Sequence, residues 1–169
     1  SIGFGRFGAL NLETAVNVPM GDWAVRASAM LQRADDRVHN PRPGAEQDLE
    51  GFSDKAARVQ AAYRNGGFEG LFKLQGRDYD GHATTFRANI IKRGTNELVD
   101  GFDAAYYPTD GYNVQTLRST AFSARLRWDL GGMNLHSITA YDRAEYYSRG
   151  DVDGGFGGVF ANQEDGPDY

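Results

Sequence analysis

The chain has 169 residues, with 23 acidic side chains against 18 basic ones, a net charge of −5 and no cysteine. Disulfide frameworks and thiolate metal sites are therefore excluded, and an acidic balance with dispersed bases argues against a nucleic-acid partner. A mean hydropathy of −0.57, with no apolar run near the roughly 18 residues a bilayer demands, excludes a transmembrane helix but not a membrane β-barrel, whose alternating strands average to a polar value. Glycine is abundant at 22 residues while proline stands at 5, which points to many tight turns in a folded chain and not to low-complexity disorder.

The opening Ser1-Ile2-Gly3-Phe4-Gly5 has neither the basic nor the apolar region of a signal peptide. Gly3 to Gly8 carries G-x-G spacing, but no predicted strand precedes it and no helix follows, so a phosphate loop is not expected. Alternation then begins. Leu10, Leu12, Val16 and Val18 share one parity, and Asn11, Glu13 and Asn17 the other. The turn signal Pro19-Met20-Gly21-Asp22 follows, and after it Trp23, Val25, Ala27, Ala29 and Leu31 oppose Arg26, Ser28 and Gln32. A second pair of strands flanks Asn65-Gly66-Gly67: Ala57, Val59, Ala61 and Tyr63 against Arg58, Gln60 and Arg64, then Phe68, Phe72 and Leu74 against Glu69, Lys73 and Gln75. A third flanks Gly131-Gly132-Met133, with Phe122, Ala124, Leu126 and Trp128 against Ser123, Arg125, Arg127 and Asp129. Its partner, 134–147, is less regular, because Leu135 and Ile138 have opposite parity. Period-2 patterns joined by turn residues that supply positive φ predict β-hairpins. The expectation is an all-β, antiparallel up-and-down meander of about six long strands within a single domain spanning 1–169, with hairpins near 2–34, 55–78 and 118–147.

The connections between hairpins, near 35–54, 79–117 and 148–169, are long. Tight turns at one end and long loops at the other are the rhythm of an outer-membrane barrel, with short periplasmic turns and longer extracellular loops. A soluble sandwich would alternate equally well but would not sort its loops by length to one end. Trp23, Tyr63, Phe68, Trp128 and Phe4 lie on the apolar parity, and amphipathic rings there would suit a membrane-interface girdle on the periplasmic side. Charge is sorted as well. The three long loops sum to −10 against −5 for the whole chain, so the strands and turns are basic, with Arg26, Arg58, Arg64, Lys73, Arg125 and Arg127 on the polar parity. That parity is expected to face a lumen, since a base facing lipid costs about 2–4 kcal/mol at the midplane. A basic lumen would serve either an anionic solute or pairing with carboxylates of a plug or of neighbouring strands.

Motifs for chemistry are sparse. His39, His82 and His136 are far apart and have no ligand spacing between them. Asp151-x-Asp153 offers oxygen ligands without the glycine and glutamate of a calcium loop. Ser119, Ser123 and Ser137 lie in strands with no nucleophile elbow around them, and Asp35-Asp36 and Asp100 with Asp103 read as solvated loop charge. No catalytic, cofactor-binding or metal-binding residue is assigned, and no enzymatic activity is expected.

The segment Asn17-Val18-Pro19-Met20-Gly21-Asp22-Trp23-Ala24-Val25-Arg26-Ala27 resembles the first periplasmic turn of the TonB-dependent outer-membrane receptors, with an apolar-Arg-apolar strand after Pro-Leu or Pro-Met. Leu135-His136-Ser137-Ile138-Thr139-Ala140-Tyr141-Asp142-Arg143 is similar to that family's L-x-S-I-T-x-Y strand, and Asp151-Val152-Asp153 stands where a D-x-D often follows. The resemblance covers about residues 6–155 in order. It implies early strands of a barrel of about 22, so that this chain would be an arc of a larger wall, with no segment corresponding to the family's plug or energy-coupling box. It further implies location in the outer membrane of a Gram-negative bacterium and active uptake of a scarce nutrient such as a metal–siderophore complex. The implied partners are outer-membrane lipid, the receptor's own plug domain and a TonB-type energy-coupling protein. The alternatives are a passive porin or autotransporter barrel, an outer-membrane enzyme, or a soluble lipocalin-like or sandwich binding domain.

Overall fold

The computed structural model describes residues 1–45, 47–83, 85, 87–109, 111–151 and 154–155. Among them the chain is all-β and antiparallel: one seven-stranded sheet in strict sequence order, with β1 (Ile2–Phe4), β2 (Leu10–Met20), β3 (Trp23–Ala34), β4 (Phe52–Asn65), β5 (Phe68–Gly81), β6 (Val114–Asp129) and β7 (Asn134–Arg149). The meander is not closed, since β1 and β7 are at opposite edges of the sheet.

Three turns set the hairpins. Gly21 (φ 61°), Gly66 (φ 54°) and Gly131 (φ 83°) take the left-handed backbone that closes a short reversal. Asn65 donates its side-chain amide to the Asp22 carboxylate, and Arg64 N–H donates to the Asp22 carbonyl at 2.9 Å, tying the first two turns together. Asp129 N–H reaches the Gly67 carbonyl at 2.7 Å, linking the second turn to the third. From these anchors each register runs unbroken along its pair of strands, from Met20↔Trp23 to Leu10↔Arg33, from Asn65↔Phe68 to Phe52↔Gly81, and from Asp129↔Asn134 to Val114↔Arg149.

The sheet departs from the expected six strands at its start. Instead of one strand through residues 2–18, the chain reverses between Phe4 and Leu10, so that Ile2–Phe4 forms a separate short strand against Leu10–Leu12. Phe7 (φ 57°) and Gly8 (φ 61°) both adopt left-handed backbone there, and Gly5 N–H closes onto the Ala9 carbonyl at 2.9 Å. At Gly8 the left-handed φ favours glycine, and an added Cβ would push the Asp35 carboxylate aside. Phe4 is thereby placed at the long-loop end beside Leu10, away from the tight turns, and cannot belong to an aromatic row there. The strands also outrun the apolar alternation: β4 begins at Phe52, β5 ends at Gly81, β6 begins at Val114 and β7 ends at Arg149. The backbone ladder continues past the apolar side chains because its hydrogen bonds are indifferent to side-chain polarity; the paired Asp54 and Arg77, at 2.8 Å, lie within this extension.

The buried core is not in the sheet. Among the described residues the buried hydrophobic side chains are Val38, Leu49 and Tyr107, all in the connections. Val38 and Leu49 bridge within one long connection, and His39 bridges to Tyr106 of the next. The loops therefore pack on each other at the end of the sheet remote from the tight turns.

A β-carbon at Gly66 forces left-handed backbone on a residue that disfavours it by roughly 1–2 kcal/mol. Gly66→Ala is expected to destabilise the second hairpin by about that much, read as a lower denaturant midpoint at unchanged slope, whereas Ala62→Ser in the neighbouring strand leaves the midpoint within about 0.5 kcal/mol.

Candidate functional site

Register assigns every strand residue to one of two faces. The first face collects Leu12, Val16, Val18, Trp23, Val25, Ala27, Val59, Ala61, Phe72, Leu74, Phe122, Leu126 and Leu135. None of these side chains is buried: Val16 is 57% exposed, Leu74 55% and Leu135 52%, while Val25, Phe72 and Leu126 are half-buried. The second face collects Arg26, Arg58, Lys73, Arg125 and Arg127 with Asn17, Gln32, Gln60, Gln75 and Ser123, as the alternation predicts. Ile138 and Leu71, both paired with Arg125, and Met30, paired with Glu13, are apolar residues on the polar face.

The apolar face has a measurable height. Counting from the tight turns, its first charged residue is Arg33 on β3, Lys55 on β4, Asp78 on β5, Arg118 on β6 and Arg143 on β7, while β2 shows none from Met20 to Leu10. Each strand thus offers nine to eleven residues whose members on this face are uncharged. A tilted strand crossing a bilayer uses about 9–11 residues. At the tight-turn edge of this band lies a chain of rings: Trp23 to Tyr63 at 4.7 Å, Tyr63 to Phe68 at 5.8 Å and Phe68 to Trp128 at 5.2 Å. Gly70 makes room for it, because a Cβ there would sit 3.2 Å from the Phe72 ring and 3.6 Å from that of Phe68.

On the polar face the basic residues largely find partners on adjacent strands. Arg26 donates to Asn17 at 3.1 Å and Arg58 to Gln75 at 3.1 Å. Glu69 lies between Arg64 at 3.2 Å and Arg127 at 3.6 Å, and Arg127 also donates to Asn134 at 3.1 Å. Lys73 and Arg125 have no carboxylate within ion-pair distance among the described residues. Where this face meets the loops it opens into a hollow of about 750 Å³, lined by Asn11, Gln32, Phe52, Tyr79, His82 and Gln115. Phe52 and Tyr79 stack across it with centroids 6.4 Å apart.

The loop cluster is organised by polar groups. Asp151 is buried and accepts from the Tyr107 hydroxyl at 3.1 Å, from the Thr109 hydroxyl, and from the Gly154 N–H at 3.1 Å. Asn40 and Thr109 exchange hydrogen bonds at 3.0 and 3.3 Å, joining the first long connection to the second. Asp151-x-Asp153 lacks the glycine and glutamate of a calcium loop; the Asp151 carboxylate ties the loops together, and Asp153 lies outside the described residues. The histidines stay apart: His39 meets Asp48 at 2.9 Å, His82 lies 3.3 Å from Asp36, and His136 pairs across the ladder with Arg127. Among the described residues no cluster of three or more possible metal ligands occurs. Ser119 and Ser123 face the polar side and Ser137 the apolar one. Asp36 accepts from Gly51 N–H at 2.8 Å, Asp103 from Ala105 N–H at 2.8 Å, and Asp100 pairs with Lys92 at 2.8 Å, so these acids order loop backbone and neighbouring bases.

Two outcomes follow for the cap. Asp151→Ala removes an acceptor shared by the Tyr107 and Thr109 hydroxyls, a loss of about 1–3 kcal/mol, and is expected to speed protease cleavage within 35–51 and 82–113 while the sheet's circular-dichroism signal is kept. The Asn40 backbone N–H and the His39 ring hold the Asp48 carboxyl below its ordinary value of 3.8, outweighing the desolvation that opposes them. A depressed carboxyl stabilises the fold above its unfolded pKa, and the contribution disappears as pH falls through the folded value. The wild-type cap should therefore loosen in acid below about pH 4, and Asp48→Asn should remove that part of the pH dependence, measured by hydrogen exchange of the 35–51 amides.

Comparison with protein-family models, with curated proteins and with solved structures finds no match.

Proposed function

We propose that this chain is part of the wall of an outer-membrane active-transport receptor of the TonB-dependent kind, taking up a scarce nutrient such as a metal–siderophore complex. The observation that carries the membrane reading is the uncharged band on one face of β2–β7, nine to eleven residues high and bounded by aromatic rings at its tight-turn edge. Such a band suits hydrocarbon, and rings suit its boundary. The polar face is then the lumen side, where bases would meet water, a plug or solute. The step from barrel wall to energised receptor rests on the resemblance of the first turn and of the Leu135–Arg143 strand. In this reading the chain binds and conducts, and performs no covalent chemistry.

Two experiments test it. With the protein in its membrane, spin labels at Val25, Val59, Phe72 and Leu126 are expected to show oxygen access, and labels at Arg26, Arg58, Lys73 and Arg125 access to a water-soluble relaxant; exchange of the two sets defeats the membrane wall, since one residue of slip inverts both faces. Uptake by cells carrying the full-length protein is expected to stop when the inner-membrane proton gradient is collapsed. Uptake indifferent to the gradient would reassign the wall to a passive pore.

A further inference from the structure

The edge of the uncharged band nearest the long loops is sharply marked. Of the five residues that end it, four are basic, Arg33, Lys55, Arg118 and Arg143, in a chain where acids outnumber bases. All four are exposed. Three of them line an open hollow of about 780 Å³ on the apolar face, whose floor is formed by Ala29, Ala57, Gly76 and Thr120. The floor residues pair across the ladder, Ala29 with Ala57, Ala57 with Gly76, Gly76 with Thr120, and the row ends at Arg143. The next row carries Lys55, Asp78, Arg118 and Glu145.

From this arrangement we infer that the hollow binds the phosphate-bearing headgroup of a membrane lipid, with its acyl chains lying over the small-residue floor toward the tight turns. The inference rests on the membrane reading of the apolar face. Charge complementarity selects this occupant. In the hollow Asp78 and Glu145 offset two of the three cations, leaving an excess of one positive charge there, while Arg33 shares its row with Asp80. Arg118 spends only its Nε on Asp78, at 3.2 Å, and Arg143 spends an Nη2 on Glu145, at 2.6 Å, so both guanidinium groups keep donors for phosphate oxygens. Arg33 and Lys55 have no carboxylate within ion-pair distance among the described residues. A zwitterionic or neutral surface would leave this excess unmatched, whereas a layer of anionic headgroups attracts each nearby base.

The test is lipid selectivity of the full-length protein reconstituted in phosphatidylcholine vesicles, read by electron spin resonance with spin-labelled phosphatidic acid or spin-labelled phosphatidylcholine as the probe. The protein is expected to immobilise phosphatidic acid over phosphatidylcholine by roughly threefold to tenfold, with the preference falling as salt is raised. The combined Arg33→Gln, Lys55→Gln, Arg118→Gln and Arg143→Gln variant should lose the preference, and one with lysine at the three arginine positions should keep it. Equal immobilisation of both labels by the wild-type protein overturns the headgroup site while leaving the membrane wall intact. Absence of immobilised lipid of either kind overturns the membrane wall itself. If the glutamine variant fails to fold, the wild-type preference and its salt dependence still decide the matter.

Discussion

Antiparallel pairing gives each residue one of two sides, and here the assignment passes through six strand interfaces without a shift in register. Every other property of the sheet depends on that continuity. A slip of one residue at any interface would place Arg26 or Arg125 among the apolar side chains and Val25 or Leu126 among the polar ones. The tight turns hold the register, because a short reversal with glycine in left-handed backbone leaves no spare residue. Asp22, bound by Asn65 and Arg64, and Gly67, bound by Asp129, extend that control from one hairpin to the next.

The molecule puts its two kinds of stabilisation in different places. In the sheet the gain comes from backbone ladders and cross-strand pairs, because neither face is buried among the described residues. In the cap it comes from side chains that remove each other from water: Val38 against Leu49, Tyr107 over the buried Asp151, Asn40 on Thr109. A buried carboxylate is costly unless its lone pairs are used, and Asp151 uses its own on two hydroxyls and a backbone N–H. The cap is therefore a polar-keyed cluster.

The apolar face shows how charge placement supplements hydrophobicity. Its residues are modest, with alanine, glycine and threonine among the valines and leucines, so hydropathy alone gives a weak signal. What defines the band is the height at which charge first appears, and that height is nearly the same on five successive strands. Aromatic rings close the band at one edge and bases at the other, two chemistries suited to different layers of one interface.

The sequence by itself determined the all-β class, the three hairpins, their turns and the two faces, because alternation and turn glycines are local properties that a period of two exposes directly. The parity of Arg26, Arg58, Lys73 and Arg125 was legible for the same reason, and so was the irregularity at Ile138. Only the tertiary structure separated Ile2–Phe4 from Leu10–Met20, since the reversal is tied down where Asp35 N–H donates to the Phe7 carbonyl at 2.8 Å, a contact made across 28 residues. It alone brought Asn40, Tyr107, Thr109 and Asp151 together, because loop packing joins positions up to 69 residues apart with no periodicity between them. The basic edge of the apolar band stood in the sequence but became visible only once register showed that Lys55, Arg118 and Arg143 border the same floor. Local pattern chooses a side for each residue; only the pairing of strands decides which residues on that side are neighbours.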